Sequence, residues 1–147
     1  MEAAHQELIL DHYRRPRNRR ALEGADHTAS LRNPFCGDEL TVYVALDGDT
    51  VRDAAFTGQG CSITQAAASM LTEAVHGLPV GEARGLLARY ASMLAPGGEA
   101  VEEGLGELRA LGGVRRLPAR VGCARMAERA LVRALGGAEE DADAPGA

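Results

Sequence analysis

The chain has 147 residues, a net charge of −5 and 46% apolar residues, which fits one domain with an ordinary core and argues against a general nucleic-acid binder, since such proteins are usually basic. Its longest apolar runs are only a few residues, far short of a membrane span, and the start M-E-A-A-H-Q-E-L has no basic stretch followed by an apolar one, so no signal peptide is expected. All 16 basic residues are arginine, so no lysine is available for a Schiff base or a P-loop.

Residues 2–14 read as a helix, with Ala4, Leu8 and Ile9 on its apolar side and Pro16 ending it. R-R-P-R-N-R-R, residues 14–20, is a basic turn, read either as a solvated loop or as a docking point for an acidic partner. H-T-A-S-L-R, residues 27–32, reads as an edge strand. Leu40, Val42, Val44 and Leu46 alternate with Thr41, Tyr43, Ala45 and Asp47, the pattern of a half-buried strand. D-G-D at 47–49 is a hairpin turn, and Val51–Thr57 returns as the next strand.

Helical spacing follows. Ile63, Ala67, Met70, Leu71, Ala74 and Leu78 mark one helix closed by Gly77. Ala83, Leu86, Leu87, Tyr90 and Leu94 mark a second, ended by A-P-G-G. Val101, Leu105, Leu108 and Leu111 mark a shorter one, ended by Gly112-Gly113. Pro118 precedes the last, striped by Ala124, Ala127, Leu131 and Ala134. The end, residues 136–147, is acidic and poor in apolar residues, and is expected to be a flexible tail behind a single domain of residues 1–135. Sheet first and helices after is α+β: a small three-stranded antiparallel sheet packed by about four to five helices.

The three cysteines, Cys36, Cys61 and Cys123, are too far apart for a short-spaced zinc-finger pattern. An odd count without a secretion signal means free thiols. A free thiol is ordinarily a small buried apolar group, and spacing alone leaves metal ligation and reactivity open beside that reading. Three observations favour chemistry. Cys61 lies where strand gives way to helix, and Cys123 lies at the expected start of the last helix. Thiols at helix N-termini face unpaired N–H groups, which lower the pKa and favour thiolate. Gly37, Gly58, Gly60 and Gly122 adjoin the cysteines and permit close backbone approach. Finally, Cys36 is separated from the carboxylate of Asp38 by a single glycine. By contrast His5, His12, His27 and His76 have no evident partners and are not counted as ligands, and Asp26, Asp47 and Asp49 read as turn residues.

L-I-L-D-H-Y-R-R-P-R-N, N-P-F-C-G-D, D-A-A-F-T-G-Q-G-C-S-I-T-Q-A-A-A-S-M and L-P-A-R-V-G-C-A, in this order, resemble the iron–sulfur cluster assembly family that includes IscU, the NifU N-terminal domain and SufU. The resemblance runs from about residue 5 to 135. It is closest to the SufU branch. Gly122 stands where IscU-type members carry a histidine, the step from Cys61 to Cys123 is longer, with the excess around residues 96–111, and Leu117–Val121 replaces their proline-rich chaperone segment.

The resemblance implies an IscU/SufU-like fold and one Zn²⁺ held by Cys36, Asp38, Cys61 and Cys123. It implies that Cys36 accepts sulfur from a SufS-like cysteine desulfurase after a histidine of that enzyme takes its place on the metal, and that Arg120 is needed for activity. It implies a cytoplasmic sulfurtransferase serving downstream Fe–S assembly proteins, with neither nucleic acid nor membrane as partner. The alternatives are a scaffold holding a [2Fe–2S] cluster on the same ligands and a purely structural zinc. His12, Tyr13 and the Arg14–Arg20 segment receive no task.

Overall fold

A computed structural model describes residues 3–33, 37–95 and 104–136. The sheet is built where alternation calls for it. β1 (His27–Asn33), β2 (Asp38–Asp47) and β3 (Thr50–Gln59) pair antiparallel in the order β1-β2-β3. Leu40, Val42 and Val44 of β2 are at most 1% exposed, while Glu39 faces solvent. The expected alternation fails once, at Ala45/Leu46, where the β2–β3 register shifts. Ala45 is buried there and Leu46 only partly so. The extra residue is Arg52 of β3, left between Asp53 and Val51, the partners of Ala45 and Leu46.

α1 (Ala3–Arg14), α2 (Ser62–Val75), α3 (Val80–Leu94) and α4 (Pro118–Gly136) supply the other layer. α2 is buried nearly all round, from Thr64 to Thr72, which marks it as the central helix. It packs against α1, α4 and β3, and α4 lies across β1 and β2. Tyr90 of α3, fully buried, donates its hydroxyl to the Ala124 carbonyl of α4 at 2.7 Å. None of these helices is long and apolar enough to cross a membrane.

Two expected elements differ. The short helix marked by Leu105, Leu108 and Leu111 is a 3₁₀-helix over Gly106–Arg116, and it runs through Gly112-Gly113 instead of ending there. Leu105, Leu108, Leu111 and Val114 are all buried. Their spacing is three throughout, which stacks side chains in one row on a 3₁₀-helix but drifts around an α-helix. Val101 and the acidic end 137–147 lie outside the described residues.

The basic turn after α1 is neither a free loop nor only a charged surface. The Arg17 N–H donates to Ser69 Oγ at 2.8 Å, and Asn18 Nδ2 donates to Thr72 Oγ1 at 3.2 Å. The Asn18 carbonyl accepts the Phe56 N–H at 2.9 Å, and Arg19 reaches Gln65 Oε1 at 3.2 Å and the Gly58 carbonyl at 3.0 Å. The segment is stitched onto α2 and β3.

Candidate metal centre

The start of β2, the β3–α2 junction and the first part of α4 meet at one point. Asp38 Oδ, Cys61 Sγ and Cys123 Sγ lie within 4.8 Å of one another. Asp38 is 5% exposed and Cys123 2%, whereas Cys61 is half-buried. Three of the four residues expected to ligate metal therefore converge. The fourth, Cys36, lies outside the described residues, two positions before Asp38 in sequence. Two soft thiol donors with one hard carboxylate suit Zn²⁺, which accepts mixed sulfur and oxygen ligands.

Local chemistry holds these side chains. Asn33 and Asp38 are register partners at the β1–β2 end, and the Asn33 carbonyl accepts the Gly37 N–H at 2.8 Å. Gly37 takes φ +74°, which a side chain would disfavour. Thr64 Oγ1 donates to Asp38 Oδ2 at 2.5 Å and lies 3.5 Å from Cys61 Sγ. The Cys61 N–H adds a longer contact to the same carboxylate oxygen at 3.4 Å. Gly60 closes the cradle: a Cβ at that position would lie 2.8 Å from Asp38 Cγ, inside van der Waals contact. Thr64 lies within the block around Cys61 that carries the family resemblance, but the sequence gives it no role of its own. Its signal is position: it is the third residue of α2, where a hydroxyl can face both the helix N-terminus and the incoming strand.

Cys61 is the N-cap of α2, as expected. Burial works to raise its pKa. The Thr64 hydroxyl, the N–H groups of Thr64 and Ile63, and the Cys123 thiol outweigh burial, and the net shift is downward. Its sulfur makes no cap bond of ordinary geometry, so the pull is that of several weak contacts at a helix start.

Cys123 requires a correction. α4 starts at Pro118, so Cys123 is its sixth residue and not at its N-terminus. Proline is favoured in the first helical position, and the helix therefore begins a full turn earlier than Gly122. The unpaired N–H groups lie in that first turn, and the helix-start argument for an acidic Cys123 does not apply.

Arg120 sits in that first turn. Its guanidinium is held protonated chiefly by the charge of Cys61, then by hydrogen bonding to Cys123. It is exposed, so the site is open to solvent on the arginine side. The arrangement can bind a thiophilic divalent cation and balance its anionic ligands with one fixed positive charge.

The NifU-like N terminal domain family matches residues 4–137. The chain is 36% identical over 137 residues to the zinc-dependent sulfurtransferase SufU of Bacillus subtilis, covering 92% of this chain and 91% of that one. It is 36% identical over 128 residues to the iron–sulfur cluster assembly scaffold protein IscU of Streptococcus pyogenes serotype M1, covering 87% and 80%. The crystal structure of SufU from Fervidobacterium islandicum AW-1 superposes with a TM-score of 0.83 at 32% identity, covering 88% of this chain and 94% of that one.

Proposed function

Because this chain belongs to the NifU-like N-terminal domain family of iron–sulfur cluster assembly proteins, we propose that it is a zinc-dependent sulfur acceptor. It takes sulfur from the persulfide of a SufS-like cysteine desulfurase, stimulates that enzyme, and hands the sulfur to downstream Fe–S assembly proteins in the cytoplasm. The supporting observation is the convergence of Asp38, Cys61 and Cys123 with Arg120 against the thiols.

In this reading Zn²⁺ is held by Cys36, Asp38, Cys61 and Cys123. Bound zinc would keep its cysteines deprotonated and add no redox chemistry of its own. Three thiolates and a carboxylate around the ion leave a net charge of about −2, and the Arg120 guanidinium offsets part of it. Asp38, fixed by Thr64 in the space that Gly60 leaves free, stays in place.

Cys36 is the ligand that leaves and reacts. Its thiolate attacks the sulfane sulfur of the desulfurase persulfide. A sulfur–sulfur bond forms at Cys36 while the one on the desulfurase breaks, and the desulfurase cysteine departs as thiolate. No external oxidant or reductant is needed, because one thiolate and one persulfide exchange places.

The test is transfer of labelled sulfur from cysteine through the desulfurase to this protein. Wild type accepts label and accelerates the desulfurase; Cys36→Ala does neither. Normal labelling of Cys36→Ala would overturn the role. The scaffold reading is favoured by comparable identity to a protein named as a scaffold, and by the Fervidobacterium structure, which is also described as that of a scaffold protein for the SUF system. Gly122, before Cys123, supplies no side-chain ligand. Anaerobic reconstitution separates the readings: a stable, transferable [2Fe–2S] cluster that displaces zinc supports the scaffold.

A further inference from the structure

The surroundings of His12 give it a task that the sequence does not show. His12 belongs to α1 and is 1% exposed, on a helix that packs against α2 and the 3₁₀-helix. Its Nδ1 is hydrogen-bonded to Ser69 Oγ at 2.7 Å, and Ser69 Oγ also accepts the Arg17 N–H at 2.8 Å. The ring is therefore fixed from behind, and Nδ1 is committed. In the tautomer that donates Nδ1–H to the serine, Nε2 presents a lone pair; in the other, Ser69 donates to Nδ1 and Nε2 carries the proton.

Two carboxylates come to the same place. An imidazole nitrogen of His12 and one oxygen each of Glu73 and Glu107 lie within 4.8 Å of one another. Glu73 belongs to α2 and Glu107 to the 3₁₀-helix, and both are exposed. Among the described residues neither carboxylate forms an ion pair. Arg89 and Glu82 line the same hollow of about 480 Å³ as the two carboxylates, yet Arg89 pairs with neither. Two carboxylates this close repel unless a cation lies between them. Moreover, a buried histidine with one nitrogen anchored by a second residue is the usual way a protein orients an imidazole toward a metal.

We propose that His12 Nε2, Glu73 and Glu107 form a second cation site, for a divalent metal that prefers nitrogen and oxygen donors. It is distinct from the thiol site: Glu73 is twelve residues beyond Cys61 along α2, which is about 18 Å of helix. The donor atoms already lie within 4.8 Å of one another, and rotation of the two exposed carboxylates can bring them to metal–ligand bonds of about 2.0–2.2 Å. The three donors leave further coordination positions facing the hollow, open to water or a small anionic ligand. Binding would clamp α1, α2 and the 3₁₀-helix together.

Mn²⁺ is the probe, because its preference for oxygen donors keeps it off the thiolates. Full-length protein is titrated with Mn²⁺ while the free-ion signal is followed by electron paramagnetic resonance, and melting is recorded with and without the ion. The expected result is one saturable Mn²⁺ per chain and a raised melting temperature. Glu73→Gln and Glu107→Gln, both at exposed positions that leave the core intact, each weaken binding at least about tenfold and abolish the thermal shift. Glu82→Gln, in the same hollow but outside the cluster, retains wild-type affinity. The proposal is overturned by the absence of saturable binding up to about 1 mM, by glutamine variants that bind as wild type does, or by an equal loss in Glu82→Gln, which would mean a diffuse acidic surface.

Discussion

Thr64 acts on two proposed metal ligands at once. Its hydroxyl donates to Asp38 Oδ2 at 2.5 Å and neighbours Cys61 Sγ at 3.5 Å, and it is wholly buried. Thr64→Val keeps the shape and removes the donor, so Asp38 loses the bond that orients it. Zinc affinity, measured by competition with a chromophoric chelator, should fall about 10–100-fold, whereas Thr64→Ser should retain it. Unchanged affinity in the valine variant would mean that Asp38 is positioned by the backbone alone. His12 gives a pH prediction of a different sort. Burial lowers its pKa below 6.5, Arg17 acts in the same direction, and Glu73, Glu107 and Asp11 oppose them. The unfolded chain thus takes up this proton at higher pH than the folded one. The stability associated with neutral His12 is complete above about 6.5 and is lost as pH falls toward the depressed folded value. The melting temperature of wild type should therefore drop more between pH 7.5 and 5.5 than that of His12→Gln. An equal drop in both proteins would locate the acid sensitivity elsewhere.

At the level of elements, the turn after α1 depends on Asn18. It has φ +65° and is the only non-glycine residue with positive φ among those described. Its side chain and carbonyl join α2 to β3 through Thr72 and Phe56. Asn18→Ala adds left-handed strain of about 1–2 kcal/mol and removes a hydrogen bond worth about 0.5–1.5 kcal/mol. Asn18→Gly removes the bond and adds about 0.4–1 kcal/mol of unfolded-chain entropy, but no strain. Urea denaturation should rank wild type above Asn18→Gly above Asn18→Ala, and a glycine variant no better than alanine would refute the strain argument. Tyr90 makes a parallel case: Tyr90→Phe leaves the ring in the core and removes the bond to Ala124, one residue past Cys123. It should cost about 1 kcal/mol in stability.

These same elements show what the sequence could and could not reveal. The strands, the central helix and Cys61 at a helix start were legible, because period-two and helical patterns act over a few neighbours. The bulge at Ala45/Leu46 was not, since a register shift is decided by the partner strand. The 3₁₀-helix was legible in principle, through the strict spacing of three from Leu105 to Val114, but that spacing also fits part of an α-helical stripe. The start of α4 differs because proline reads as a boundary in the sequence but is the first helical residue in the fold. The convergence of Asp38, Cys61 and Cys123 came only through family resemblance: they lie on three different elements, and no local pattern encodes that meeting. Nor could local pattern pair His12 with Ser69, 57 residues away.

For the whole molecule, the question is whether the fold needs zinc. The proposed ligands join the end of the sheet to α2 and α4, so zinc binding should stabilise their relative positions. The core does not depend on that junction. Phe56, Leu71, Leu87, Tyr90, Leu111 and Leu131, drawn from β3, all the packed helices except α1, and the 3₁₀-helix, are each fully buried, and this apolar burial is the dominant stabilising term. A chain whose core closes without metal should fold without it, unlike small domains whose folding free energy is the metal-binding energy. Chelated protein is therefore expected to keep its helical circular-dichroism spectrum at 25 °C and to melt earlier. Free zinc at about 100 times its dissociation constant adds about 2.7 kcal/mol, which for a chain of this size raises the melting temperature by roughly 5–10 °C. The same chelated sample should no longer stimulate the desulfurase, and activity should return on adding zinc. Loss of the helical spectrum on chelation would instead make the zinc structural, and the sulfur-acceptor reading would then have to find its thiolate without a metal that can release one ligand and leave the fold standing.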